Sequence, residues 1–246
     1  MWGRAAALAA SLLLVCGLSG LWFGNPLPTL MADHATAPGE LRMVTMPDGS
    51  VAELGPASAI VVRFTAQERR IDLLSGLVHF SVVPKAKAGG RPFVVEAAGG
   101  SAEALGTRFT VERQTDAVNV TVTEHDVRVS VTGDAGRPGS TVVVSPGQTV
   151  RYDAKRGLGT VLVTDLENAD AWLHGRLVFD RIPLSDVVAS LNRYRRGRIV
   201  VLDADLAARI VSGVFDTDDL DNALGSITHS LGIKAVSVPP FVTVLH

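Results

Sequence analysis

From residue 41 to about residue 131 the chain runs as short apolar stretches broken by turn signals, and this pattern limits its fold more than any other feature. Val118, Val120 and Val122 alternate with Asn119, Thr121 and Thr123, so one side of that stretch is apolar and the other polar. β-Branched residues in period two mark a half-buried strand, because successive side chains leave opposite faces of the backbone. The same texture covers 42–46, 50–54, 59–65, 69–74, 77–83, 93–97, 107–112, 118–123 and 127–131. Pro47, Asp48 and Gly49 supply a proline-led turn between the first two. Many short strands at close spacing predict a mainly β fold, and a sandwich, a barrel and a solenoid all fit the pattern. A last hairpin is expected at 141–145 and 148–152, around Pro146 and Gly147.

Beyond residue 159 helical periodicity enters for the first time. Leu184, Val187, Val188, Leu191 and Tyr194 fall on one stripe of an amphipathic helix. Pro183 stands where a helix starts without losing a bond. Arg193, Arg195 and Arg196 suit the negative end of its dipole, and Gly197 can close it. A second helix carries Asp218, Asp219 and Asp221 at its start, Leu220, Ala223, Leu224, Ile227 and Leu231 on its stripe, and Gly232 as its stop. Strands are expected at 177–179, 199–202, 210–215, 233–238 and 241–245, giving the order β-α-β-β-α-β-β of a compact α+β unit. Pro239 and Pro240 precede the final strand, and proline avoids central positions, so 241–245 is expected at a sheet edge that could accept a partner strand.

Residues 5–23 are apolar and uncharged, with Arg4 before them. At about 1.5 Å per residue such a run matches a hydrocarbon core of about 30 Å. It predicts a transmembrane helix over 1–24 with its N-terminus cytoplasmic, since positive charge stays inside. The expected organisation is then a linker over 25–38 carrying Pro26, Pro28 and Pro38, a β-rich domain over 39–155 and the α+β lobe over 160–246. This places the bulk of the chain in the periplasm on a single-pass inner-membrane anchor. The sole cysteine, Cys16, lies inside the apolar run, so the exported part has no thiol for disulfides or for a cysteine metal site. A formal charge of −2 gives no electrostatic case for a nucleic-acid partner. His34, His79, His125, His174, His229 and His246 stand singly, at no spacing that pairs metal ligands. No nucleophile elbow, phosphate loop or dinucleotide fingerprint is present, so the chain reads as non-enzymatic, with no cofactor, metal site or catalytic residue.

Five segments occur in a telling order: MPDGSV at 46–51, RIDLLSGLVHF at 70–80, PFVVEA at 92–97, EALGTRFTV at 103–111 and VTVTEHDVRV at 120–129. Further on come WLHGRLVFDRIPL at 172–184 and LNRY at 191–194. Together they resemble the FecR family of signal transducers, which stand between a TonB-dependent outer-membrane receptor and an extracytoplasmic-function (ECF) sigma factor. The resemblance implies a solenoid or sandwich-like FecR-type domain. It also implies a C-terminal lobe similar to the short N-terminal signalling domain of secretins and TonB-dependent receptors. The implied role is relay of the receptor's state to the sigma factor, as an anti-sigma factor in the uptake of iron or another nutrient. The implied partners are the receptor's signalling domain, the ECF sigma factor and the membrane. Only residues 1–4 precede the apolar run, so the resemblance carries the periplasmic receiver role further than the sigma-holding segment. A periplasmic scaffold lacking its own sigma-binding segment, or a membrane-anchored binding module, stands as the alternative. The residues expected to meet a partner are Arg193, Tyr194 and Arg196 at the end of the first helix, and Phe215, Phe241, Val242 and Val244 on the strands.

Overall fold

The computed structural model describes residues 27–246 apart from 105, 115–116, 134–138, 154–155 and 239–240. Thirteen strands make one sheet: β1 (His34–Ala35), β2 (Arg42–Thr45), β3 (Val51–Leu54), β4 (Ala59–Phe64), β5 (Arg69–Ser81), β6 (Phe93–Ala97), β7 (Gly100–Ala104), β8 (Arg108–Arg113), β9 (Val118–Glu124), β10 (Val127–Val131), β11 (Ser140–Val144), β12 (Gln148–Asp153) and β13 (Gly157–Val163). The alternation read along β9 is real in space. Val118, Val120 and Val122 are buried, and the residues between them face the other way. Phe80, Phe93 and Phe109 meet at the centre of this core, with ring centroids 5.6 Å and 5.4 Å apart along the chain of contacts.

The expected solenoid or sandwich is corrected to a single sheet that wraps into a nearly closed, barrel-like form. The reason is β5. The two strands expected at 69–74 and 77–83 are one, whose first half pairs with β4 and, in parallel, with β6, while its second half pairs with β3 and β8. The sheet turns its corner at Gly76, which has φ +89°, and a side-chain carbon there would lie 2.3 Å from Ser58 Oγ. Ser58 Oγ accepts from the Leu77 N–H and donates to the Leu77 carbonyl, both at 2.9 Å, and so latches the corner. The hairpin expected around Pro146 and Gly147 is corrected as well. β11 pairs with β10, while β12 pairs with β9 and β13, so the chain crosses from one side of the wrapped sheet to the other.

Two of the motif segments explain themselves. Asp48, in the Pro-Asp-Gly turn, accepts from the Ser50 N–H at 3.0 Å, from Ser50 Oγ at 2.7 Å and from Arg69 Nη1 at 2.6 Å. Arg69 is fully buried, and it also donates to the carbonyls of Val83 and Arg91 and lies over the Phe93 ring. A buried charge survives only when paired and hydrogen-bonded, and this one is both. Gly106 has φ +118°, and a side-chain carbon there would come within 2.6 Å of Pro84 Cα, so only glycine makes that bend.

The second group of elements runs β14 (Arg176–Pro183), the helix Leu184–Tyr194, β15 (Arg198–Val201), β16 (Ile210–Asp216), the helix Leu220–Leu231, β17 (Ala235–Val238) and β18 (Val242–Leu245). The stripe Leu184, Val187, Val188, Leu191 and Tyr194 is buried, and each aliphatic member contributes about 1.5–3 kcal/mol by leaving water. Asp219 caps the second helix by accepting from the Asn222 N–H, and Gly232 closes it with φ +63°. The strands form two small sheets, β14–β16 and β15–β18–β17. The expectation that 241–245 is an edge strand is therefore overturned. β18 is the central strand, parallel to β15 and antiparallel to β17, with Thr243 and Leu245 buried beneath its neighbours.

The transmembrane helix expected over 1–24 falls outside the described residues. Among the described residues no helix is long and apolar enough to cross a membrane. The longest, Leu220–Leu231, has 12 residues and reaches about 18 Å, well short of a hydrocarbon core of about 30 Å.

Candidate functional site

The outer, polar face of β8, β9 and β12 does not look onto solvent alone. Thr110, Glu112, Asn119, Thr121, Thr149 and Arg151 line a cleft of about 680 Å³ whose far wall is built by Trp172, β14 and the helix Leu184–Tyr194. At its deep end Glu112 Oε1 meets Arg193 Nη2 at 2.6 Å, with the two side chains 18% and 13% exposed. Asn119 Nδ2 donates to Glu112 Oε2 at 2.9 Å, and Arg193 also donates to Ser190 Oγ. Burial alone would raise the Glu112 pKa, but the Arg193 charge and the donors Asn119, Arg193 and Gln114 outweigh it and hold the carboxyl below its ordinary value. The Arg193 carbonyl in turn accepts from the Gly39 N–H at 3.1 Å, so both ends of this residue grip the β-sheet side of the molecule.

A second polar contact lies nearby. His79 Nδ1 and Thr110 Oγ1 are 3.0 Å apart, Asp170 Oδ1 is 3.9 Å from the same ring nitrogen, and Thr123 Oγ1 donates to Asp170 Oδ2 at 3.4 Å. Burial lowers the His79 pKa more than the Asp170 charge raises it, so the ring is neutral at neutral pH. Hydroxyl and carboxylate share one ring nitrogen, whereas a nucleophile relay needs them on opposite nitrogens, so this is an anchoring contact. Apolar packing completes the seam. Leu77 of β5 belongs to the same buried cluster as Trp172, Leu184 and Leu191, and a side-chain carbon on Gly55 would lie 3.1 Å from the Trp172 ring. Among the described residues no group of histidines and acids could hold a metal ion.

The residues expected to meet a partner do not converge. Arg193 is spent on Glu112, and Tyr194 is buried beside it with its hydroxyl pKa raised to about 12, chiefly by burial. Arg196 and Val242 line a different groove, and Phe215 lines a third, where it packs on Phe179 with centroids 6.0 Å apart. Phe241 is half exposed, and Val244 is half buried on the central strand. Glu112, His79, Asp170 and Trp172 were not singled out by the sequence. Glu112 and Arg193 are separated by 81 positions, and no local spacing links such a pair.

A wrapped β-sheet is joined to an α+β unit through the Glu112–Arg193 ion pair and the packing of Trp172, and this defines a two-part protein. Residues 32–128 match the model of the FecR protein family. A candidate anti-sigma factor from Parabacteroides distasonis ATCC 8503, solved at 1.65 Å, is similar with a TM-score of 0.75 and 25% identity, covering 87% of this chain and 97% of the other. A second structure of a candidate anti-sigma factor from the same organism, at 2.50 Å, gives a TM-score of 0.74 and 26% identity with the same coverage. No curated protein matches the sequence.

Proposed function

We propose that this chain is a sigma-factor regulator that receives its signal from a TonB-dependent outer-membrane receptor, in the uptake of iron or another nutrient. The observation that carries the reading is the likeness to a candidate anti-sigma factor over 87% of the chain, which includes both the wrapped sheet and the α+β unit. The FecR match supports a regulatory role in signalling. In this reading the α+β unit over 160–246 meets the receptor's signalling domain, and the seam carries the bound or free state to the β-sheet. A bound partner shifts such a state only if it binds one arrangement better than the other. The location proposed is the periplasmic side of the cell envelope in association with the inner membrane, supported by the apolar sequence run at 5–23 and by the habit of the family. A reporter on the sigma factor's promoter, in a strain lacking this gene, should lose its response to the inducing nutrient. A response equal to the parent strain's refutes the regulator reading.

A further inference from the structure

β17 is exposed in a way that edge strands seldom are. All four of its residues are exposed, it carries no charge or proline, and among the described residues its one neighbour is β18. Lys234 and His246 exchange both backbone hydrogen bonds at 3.0 Å, which sets the phase of the β17–β18 ladder. By alternation Val236 and Val238 turn their backbone groups toward β18, and Ala235 and Ser237 turn theirs to the open edge. The side chains divide in the same period. Val236 and Val238, 54% and 55% exposed, stand on one face. Ala235 and Ser237 stand on the other, where they line a groove of about 530 Å³ with Arg195, Arg196, Asp221, Leu224, Gly225, Thr228, Val242 and Thr243.

The charge of that groove is unbalanced, with two arginines against one aspartate. Arg195 Nη2 lies 3.9 Å from Asp221 Oδ1, a carboxylate that is 93% exposed and holds it loosely, and Arg195 Nη1 is buried without a hydrogen-bond partner. A guanidinium left partly unpaired is costly, and its planar fork suits a carboxylate.

We propose that β17 receives an extended acidic segment of a partner protein as an added strand, with a carboxylate of that segment bound by Arg195 and Arg196. An added strand places its side chains on the same face as the residues they oppose. Residues opposite Ala235 and Ser237 therefore project into the groove, and residues opposite Val236 and Val238 cover the apolar face. The recognised pattern is acid alternating with apolar. This rests on the reading that the α+β unit docks a signalling partner and adds the chemistry of the docked segment.

The test uses the full chain and two labelled peptides, one of alternating Val and Glu and the other of alternating Val and Gln. The Glu peptide should bind about tenfold tighter, with the difference shrinking as salt rises. Arg195→Gln together with Arg196→Gln should erase the preference, and Val236→Lys should weaken both peptides by placing a charge on the edge. Equal binding of the two peptides by the parent chain overturns the proposal, and so does a preference that survives the double arginine change. Arginine-dependent binding to phosphatidylglycerol vesicles with no peptide binding overturns it in favour of a lipid headgroup. If gene deletion moves the promoter reporter but the peptides bind alike, this inference alone falls; if deletion leaves the reporter unmoved, the regulator reading falls.

Discussion

Replacing Arg193 by alanine tests the seam directly. The change strands Glu112 in a place where its side chain is only 18% exposed, with Asn119 and Gln114 as the donors that remain. Breaking a dry buried pair by removing one partner costs about 3–5 kcal/mol, and the residual solvent contact of both side chains lowers this to about 2–3 kcal/mol. Glu112→Gln should cost less, about 1–2 kcal/mol, since the amide oxygen can still accept from Arg193 while its NH2 donates to the Oδ1 of a turned Asn119 amide. The two changes share one interaction, so a double-mutant cycle by urea denaturation should return a coupling of about 1–2 kcal/mol. The sign of its pH dependence is fixed. The Glu112 pKa is lowered in the folded chain from an ordinary 4.5, so the stabilisation is present above that value and is lost as the pH falls through the folded one. The single mutants should also expose the segment between β13 and β14 to limited proteolysis before the β-sheet melts. A coupling below about 0.5 kcal/mol would refute the claim that this pair holds the two parts together.

Two further outcomes are expected. Arg69→Met leaves Asp48 buried and uncompensated, and should cost about 3–5 kcal/mol in chemical denaturation, while changing Asp48→Asn in the same chain should recover part of that loss. The His79 pKa is lowered by burial from an ordinary 6.5, so the unfolded chain takes up the proton first and stability should decline as the pH falls below that value. Thermal unfolding across this range should show the decline in the parent chain, and His79→Gln should remove most of it.

Much of the local structure was legible because its cause is local. The period of two along Val118, Val120 and Val122 requires a strand with one buried face, and the spacing of Leu184, Val187, Val188 and Leu191 requires a helix with one. Gly100 shows where this reading fails. It lies in β7, where glycine is otherwise unfavourable, and a side-chain carbon there would come within 2.5 Å of the Tyr152 ring, a neighbour 52 positions away. The candidate partner residues were legible by type and not by grouping. Three neighbours in sequence, Arg193, Tyr194 and Arg196, end up in two different clefts, because a helix end turns successive side chains to different neighbours.

Residue period alone sets which stretches are extended and which helical, and which side of each element is apolar. That β5 serves both halves of the sheet, that β18 lies at the centre of its sheet and leaves β17 open, and that Arg193 closes on Glu112 are outcomes of long-range packing. The physical reason is that side-chain period and backbone strain act within a few residues. Strand partners and buried ion pairs are chosen by the closest packing available to the whole chain, and neighbours in sequence carry no record of that choice.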